Sequence, residues 1–468
     1  MALPRSPPPK ECSRSLILVV VTIGSFLNPF TGSSINLALP LIGEEFAVNA
    51  IILSWIPAAY LLSTAIFLLP AGMLGDIAGR GRVFSWGTLI YTVASALTIF
   101  VPSASALLVL RFLQGIGSAM LFGTAVAIIA ELYPPGERGR ALGINVTAIY
   151  AGLTLGPFFG GLLTQFFGWR SIFLVTVFLG VVVLLQVSRF PALLDEPRRY
   201  VFDWAGACLS ALILILFSVG VSRVPDPASI GLIGASALTV IIFLAVENRR
   251  PQPLFPITLL RENRVFSFSN LAALINYSAT FAVTFLMSLY LQVVRGMSPA
   301  AAGSVLLIQP FCQMICSPLA GRLSDRTDPS LLASSGMAVS SLCLLSLAFL
   351  GETTSTGIIA LILAALGIGL GLFSAPNTTV IMGSVERHDY TLASSMVATM
   401  RNSGMMMSMA IVMIFFALLL GDAPITPDVS GQFLASMHLI LLVFSLLTLI
   451  GAFISWNRGR LPGTGKPS

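Results

Sequence analysis

The sequence predicts an all-α polytopic membrane protein, and three observations carry that prediction. Of its 468 residues, 56 % are hydrophobic and only 9 % charged, a balance outside that of water-soluble domains. The apolar residues gather into stretches of about twenty, the length at which a helix crosses the hydrocarbon layer with its backbone hydrogen bonds made internally. The charges fall between those stretches, and the positive ones favour alternate connections.

Fourteen spans are expected, at about 15–35, 50–72, 83–101, 105–130, 141–163, 170–190, 202–222, 228–246, 267–292, 300–321, 331–350, 356–382, 391–419 and 433–455. The first follows a basic tail, yet its apolar stretch is long and runs into FLNPFTGSSINLALP without a convincing cleavage site, so it reads as a retained helix rather than a secretion signal. Between the second and third lies the loop GMLGDIAGRGR, Gly72 to Arg82, and the fourth carries Arg111 in LVLRFLQGIGSAM. The fifth holds AGLTLGPFFGGLLTQFFGWR, with small residues at the spacing that lets helices approach closely. Around the seventh and eighth run the connectors 188–201 and 247–266, too short for a soluble enzyme domain. The tenth ends in GRLSDRTD, Gly321 to Asp328, and the thirteenth contains MRNSGMMMSMAIVM.

An even number of spans puts both termini on one side. With that side cytoplasmic, only Arg170, Arg223 and Arg295 of the 25 basic residues face outside and only Arg111 and Arg401 lie within spans; the rest, Arg5, Lys10 and Arg458 among them, are inside. A multi-pass protein of the cell membrane, the inner membrane where there are two, with both termini cytoplasmic is therefore expected. The net charge of +6 is spread over membrane-proximal loops, where it meets anionic lipid headgroups, so no nucleic-acid partner is expected.

The loops at Gly72 and Gly321 each place a glycine four positions before an aspartate, with arginine close behind. That repeat suggests two related bundles that rock about a central site. The expected organisation is a tail at 1–14, a six-helix bundle at 15–190, two inserted helices with connectors at 191–266, a second six-helix bundle at 267–455 and a tail at 456–468.

Several residue groups bear on mechanism, each with a plainer competing reading. Gly72, Gly75, Asp76, Arg80 and Arg82, with Gly321, Asp325 and Arg326, suit a gate clamp; a tight charged turn at the membrane surface competes. Gly152, Gly156, Pro157, Gly160 and Gly161 suit a hinge or seal, against ordinary close packing. Arg111 and Arg401 sit where a guanidinium needs a partner, water or ligand, against a structural hydrogen-bond node or snorkelling. Asn28, Asn36, Tyr60, Gln114, Tyr150, Gln292, Gln309, Gln313 and Asn377 are polar positions that could line a cavity. His438, the one histidine within a span, could titrate near neutrality or pack as an interfacial polar group. None of the 19 acidic residues falls mid-span. The methionines of MRNSGMMMSMAIVM suit either an adaptable apolar ligand surface or helix packing. Cys208, Cys312, Cys316 and Cys343 have no further metal ligands nearby and read as packing residues.

Taken together, these residues resemble the major facilitator superfamily, and within it the fourteen-helix drug/proton antiporter family. GMLGDIAGRGR is similar to the signature between the second and third helices, RFLQGIG around Arg111 to that of the fourth, and Gly152 through Gly161 to the antiporter signature of the fifth. SWIPAAYLL around Trp55 and Tyr60 and MRNSGMMMSMA around Arg401 are similar to the family's second and thirteenth helices. The resemblance implies a major facilitator fold with 14 helices arranged 6 + 2 + 6, and export of hydrophobic or amphipathic small molecules by alternating access, coupled to proton import. Two positions depart from the pattern. Asn28 stands where these antiporters commonly carry an aspartate, which removes the implied proton site of the first helix, and Ile77 follows Asp76 where the loop signature usually has arginine.

The expected function is thus secondary active transport rather than enzymatic catalysis, with a small-molecule substrate, protons and the lipid bilayer as partners, a monomer as the working unit and no cofactor. The alternative is a carrier of an anionic or neutral metabolite that uses Arg111 and Arg401.

Overall fold

In the computed structural model the described residues, 11–187, 203–250, 257–324, 326–386, 390–421 and 423–459, form helices joined by turns, with no strand among them. Asp325, Arg5 and Lys10 lie outside the described residues.

Six long helices come first: α1 (Glu11–Phe46), α2 (Ala50–Ala78), α3 (Arg80–Thr98), α4 (Ala104–Leu132), α5 (Pro135–Phe167) and α6 (Arg170–Val187). The pair α7 (Trp204–Ser222) and α8 (Pro227–Glu247) follows, then the short α9 (Ile257–Glu262). Next, α10 (Arg264–Thr280), α11 (Ala282–Leu289) and a π-turn at Tyr290–Val294 form one membrane-length segment, as do α12 (Pro299–Leu306) and α13 (Ile308–Ser324). The chain ends with α14 (Pro329–Leu347), α15 (Thr356–Gly383), α16 (Tyr390–Leu419) and α17 (Ser430–Trp456). Polar side chains start many of them: Asn49, Ser103, Asp203, Asp226, Asn263, Ser298, Asp328 and Ser355 each accept a hydrogen bond from a backbone N–H of the first turn.

Thirteen segments among the described residues are long and apolar enough to cross a membrane. The remaining long helix, α3, carries Arg80 and Arg82 and a row of hydroxyls. Those hydroxyls, Thr88, Thr92, Ser95 and Thr98, are buried, whereas Trp86, Leu89, Val93 and Leu97 form an exposed apolar stripe at helical spacing. α3 thus presents lipid-compatible surface despite its low mean hydropathy. The first span also differs from expectation: α1 continues through Pro29 and Pro40 to Phe46. Each proline removes one backbone hydrogen bond, and leaving the helix within the membrane would strand more of them.

In the first half α1 packs on α5 and α6, α2 on α4, and α3 on α4 and α6; in the second, α13 and α14 pack on α15, and α10 and α14 on α17. Close glycine contacts repeat between the halves. Gly117 of α4 meets α3, where an added Cβ would stand 2.6 Å from the Gly87 carbonyl oxygen, and Gly336 of α14 meets α15, 2.6 Å from that of Gly369. Cys312 and Cys316 lie against Gly367 and Gly371 of α15, so both serve helix packing. The α7–α8 pair touches α2 and α16 through α7.

Candidate functional site

A cavity of about 290 Å³ lies where the two halves meet. The first half contributes Asn28, Ser33 and Asn36 from α1, Tyr60 and Thr64 from α2, Arg111 and Ser118 from α4, and Tyr150 and Pro157 from α5. The second supplies Tyr277 from α10, Gln309 and Gln313 from α13, and Arg401, Asn402 and Met405 from α16. Aromatic and aliphatic side chains such as Phe122, Leu153, Phe281 and Leu306 complete an amphipathic wall.

Arg111 is 1 % exposed and held on several sides. Its Nε donates to the Ile56 carbonyl at 3.3 Å and its Nη1 to Gln114 Oε1 at 2.8 Å, while Gln114 Nε2 donates to Ser95 Oγ at 2.8 Å on α3. The guanidinium also sits 4.6 Å from the centroid of the Tyr60 ring, whose hydroxyl meets Ser118 Oγ at 2.7 Å. These bonds tie α2, α3 and α4 together, with the polar side chains supplying acceptors that lipid cannot.

Arg401 differs. It lines the cavity, and no carboxylate among the described residues lies within ion-pair distance of it. Asn28 across the cavity is 2 % exposed, and neither atom of its amide has a hydrogen-bond partner. Among the described residues of the wall there is no aspartate, glutamate or histidine.

One end of the cavity is closed. Ser288 Oγ donates to the Asn36 carbonyl at 2.6 Å, the Ala300 N–H to Gln165 Oε1 at 3.2 Å, and the Ala50 N–H to the Ala423 carbonyl at 3.3 Å. This end also carries Arg170, whose guanidinium pairs with Glu45 at 2.6 and 2.8 Å while Trp169 Nε1 donates to the same carboxylate at 2.7 Å. At the opposite end, which carries Arg80, no hydrogen bond joins the two halves among the described residues.

The fifth-helix glycines divide between two partners. Gly152, Gly156 and Gly160 face α1, where added Cβ atoms would stand 2.8 Å from the Phe26 carbonyl oxygen, 2.9 Å from that of Phe30 and 2.6 Å from Ser34 Cα. Ser34 Oγ donates to the Gly156 carbonyl at 2.9 Å. Gly161 instead faces Pro299 of the second half, and Gly303 of α12 in turn faces Pro157. Three glycines therefore pack within one half and the fourth permits the seal between halves.

At the Arg80 end, Arg80 Nη2 pairs with Asp76 Oδ1 at 2.8 Å and Nη1 with Glu131 Oε2 at 3.0 Å. Gly75 allows this turn to lie against Thr124 of α4, and Gly72 packs beside Gly123 of the same helix. The clamp joins α2 to α4 within one half. In the second loop Gly321 makes only an ordinary contact with Ala375, and Arg326, like Arg82, is exposed.

Four expected cavity residues stand elsewhere. Gln114 is buried behind Arg111; Gln292 lies in the π-turn, its amide donating to Ser288 Oγ at 2.9 Å. His438 Nε2 lies 2.7 Å from the Leu350 carbonyl oxygen, beyond the cavity. Asn377 accepts a 2.7 Å hydrogen bond from Arg458 Nη1. Arg458 itself, expected in a solvated tail, is fully buried, bonding also to Ser269 Oγ at 3.2 Å and the Pro329 carbonyl at 3.4 Å. Burial pushes its guanidinium down to about 10, opposed by the Asp328 carboxylate. The methionine cluster is split: Met405 lines the cavity, Met406 packs against Leu62 and Ile66, and Met409 is in the core. Sequence periodicity gave no signal for Asn402, Thr64 or Ser118, which lie on helices apolar all round.

The Major Facilitator Superfamily model matches residues 21–409. Among curated proteins, the chain is 29 % identical over 409 residues to "Riboflavin transporter RibZ" of Clostridioides difficile (strain 630), covering 86 % of this chain and 88 % of that one. It is 30 % identical over 408 residues to "Multidrug resistance protein Stp" of Mycobacterium tuberculosis (strain CDC 1551 / Oshkosh), covering 85 % and 75 %. Among solved structures, a bacterial homolog to the human lysosomal transporter Spinster, in an inward-facing and unoccupied conformation, superposes with a TM-score of 0.69 at 17 % identity, over 96 % of this chain and 98 % of that one.

Proposed function

The chain belongs to the Major Facilitator Superfamily, and from that premise we propose that it exports hydrophobic or amphipathic small molecules through the cavity between its halves. It is a multi-pass membrane transporter rather than an enzyme. The observation that carries the export reading is a cavity built by both halves and sealed at the Arg170 end by bonds that cross between them, with no such crossing hydrogen bond among the described residues at the Arg80 end. A carrier that rocks about such a site exposes it to one side at a time. The fifth-helix glycines and the likeness to a multidrug resistance protein support export of amphipathic compounds.

In this reading the chain crosses the membrane fourteen times as two six-helix bundles with α7 and α8 between them, and works as a monomer. Both termini and the Arg80 end lie in the cytoplasm, so the conformation is inward-open. The loop residues around Asp76 and Arg80 brace the inner end of the first bundle, those around Gly321 and Arg326 border that of the second, and the fifth-helix glycines seal the outer end. Proton import is the driving reaction that the family resemblance implies; with Asn28 in the first helix, the described wall supplies no carboxylate or imidazole to carry the proton.

Purified protein in liposomes tests the export reading. Flux of a fluorescent amphiphile across a panel of compounds, absent from protein-free vesicles, is the expected result; no carrier-dependent flux for any member would overturn it.

A further inference from the structure

Resting on that reading of the cavity, we propose that its substrates are amphipathic organic anions. Their acidic group pairs with Arg401, their polar edge bonds the Asn28 amide, and they leave as anions driven by the membrane potential.

The ionisable side chains on the described wall are Arg111, Arg401, Tyr60, Tyr150 and Tyr277. Arg111 is held by Ile56, Gln114 and the Tyr60 ring and is buried, so Arg401, the less buried of the two guanidiniums, is the more open to a ligand. Arg401 is half-buried on a wall that has no carboxylate among its described residues, and an anionic substrate supplies the counter-ion that this wall lacks. Two positive charges and no carboxylate repel a permanently cationic drug from the same wall.

Asn28 adds a second, independent requirement. Its carboxamide is 2 % exposed with donor and acceptor both unpartnered, and a buried amide left so is destabilising unless something in the cavity bonds it. Asn28 belongs to α1 and Arg401 to α16, so a ligand reaching both bridges the halves whose relative movement transports it. The aromatic wall around Tyr150, Tyr277 and Phe281 suits a flat apolar body between the two polar ends.

Coupling follows from the charge. An interior-negative potential expels anions, and 100 mV sustains a concentration ratio of about fifty for a monovalent anion. The substrate then carries the charge across, and no wall side chain has to gain and lose a proton.

Three pyrene probes separate the possibilities: pyrene-1-sulfonate, permanently anionic; pyrenemethanol, neutral; and (pyrenylmethyl)trimethylammonium, permanently cationic. Equilibrium binding to the full chain in phosphatidylcholine nanodiscs is expected to favour the sulfonate. Arg401→Gln is expected to weaken it by about tenfold or more, with pyrenemethanol affinity retained as the check on folding, and Arg401→Lys is expected to restore part of the preference. In liposomes at equal pH on both sides, sulfonate flux is expected to follow an imposed potassium diffusion potential. Preference for the cation, or sulfonate binding indifferent to Arg401→Gln, overturns the proposal while leaving the export reading intact; binding of none of the three probes overturns both. Adding phosphatidylglycerol distinguishes a free anion from a lipid headgroup: unchanged sulfonate affinity supports the former, and its loss assigns the site to lipid and overturns the proposal.

Discussion

Gly161 of α5 faces the Pro299 carbonyl at the start of α12 so closely that an added Cβ there would also stand 3.1 Å from Ala300 Cα. This contact crosses between the halves at the closed Arg170 end. Gly161→Ala is therefore expected to destabilise the closed Arg170 end selectively, by about 1–3 kcal/mol as for other overpacked contacts. Maleimide labelling of a cysteine placed at Ser288, buried beside Asn36 in that seal, is expected to be faster in the Gly161→Ala background; an unchanged rate would count against the seal.

Gly156 packs on α1 against the Phe30 carbonyl, whereas the neighbouring Leu155 is 40 % exposed on the outer surface of α5. Gly156→Leu is expected to force the helices apart and abolish most transport. Leu155→Val removes one methylene from a lipid-facing position and is expected to leave transport near the parent's. Transport assays at matched expression check this, and equal activity of the two variants would refute the packing argument.

Arg458 holds α10, α14 and α15 through Ser269, Pro329 and Asn377. Arg458→Ala is expected to lower stability by about 1–3 kcal/mol, because Asn377 and the Pro329 carbonyl lose a buried donor. Arg326→Ala, at an exposed site, is expected to stay within about 0.5 kcal/mol. Thermal unfolding of the two variants in detergent compares them directly.

Asn28→Asp places a carboxyl group in the cavity with Arg401. When ionised it adds a negative charge to the wall that disfavours an anionic ligand and cannot donate to it; when protonated it is neutral and can donate. Pyrene-1-sulfonate binding to this variant is expected to strengthen as pH falls, while binding to the parent chain stays flat over the same range. A titration of both proteins settles the sign.

Much of the fold is legible in the sequence because hydropathy and charge placement act over whole segments. Even α3, with its hydroxyl-rich inner face, is announced by the loops that bracket it and by the alternation of positive charge. The site is legible in part. Arg111 and Arg401 stand out because a guanidinium inside an apolar segment has few explanations, and both reach the cavity wall. Uncharged polar residues are harder: on helices apolar all round there is no amphipathic contrast to say which face looks inward, so Asn28 and Gln309 line the cavity while Asn377 and His438 do not. Arg458 was hidden for another reason. It lies just beyond α17 and reads as a solvated tail charge until the three-dimensional fold returns it beneath α10, α14 and α15.

One cavity is expected to open alternately at its two ends as the halves move. Spin-label distances across both ends test it, in a background without the native cysteines. One label pair at Ile144 and Leu323 reports the Arg80 end, and another at Phe166 and Ser304 the Arg170 end; all four positions are exposed. Conditions that favour the outward-open state are expected to shorten the first distance and lengthen the second. Distances that stay fixed at both ends while transport proceeds, or that change in the same direction, would rule out alternate opening.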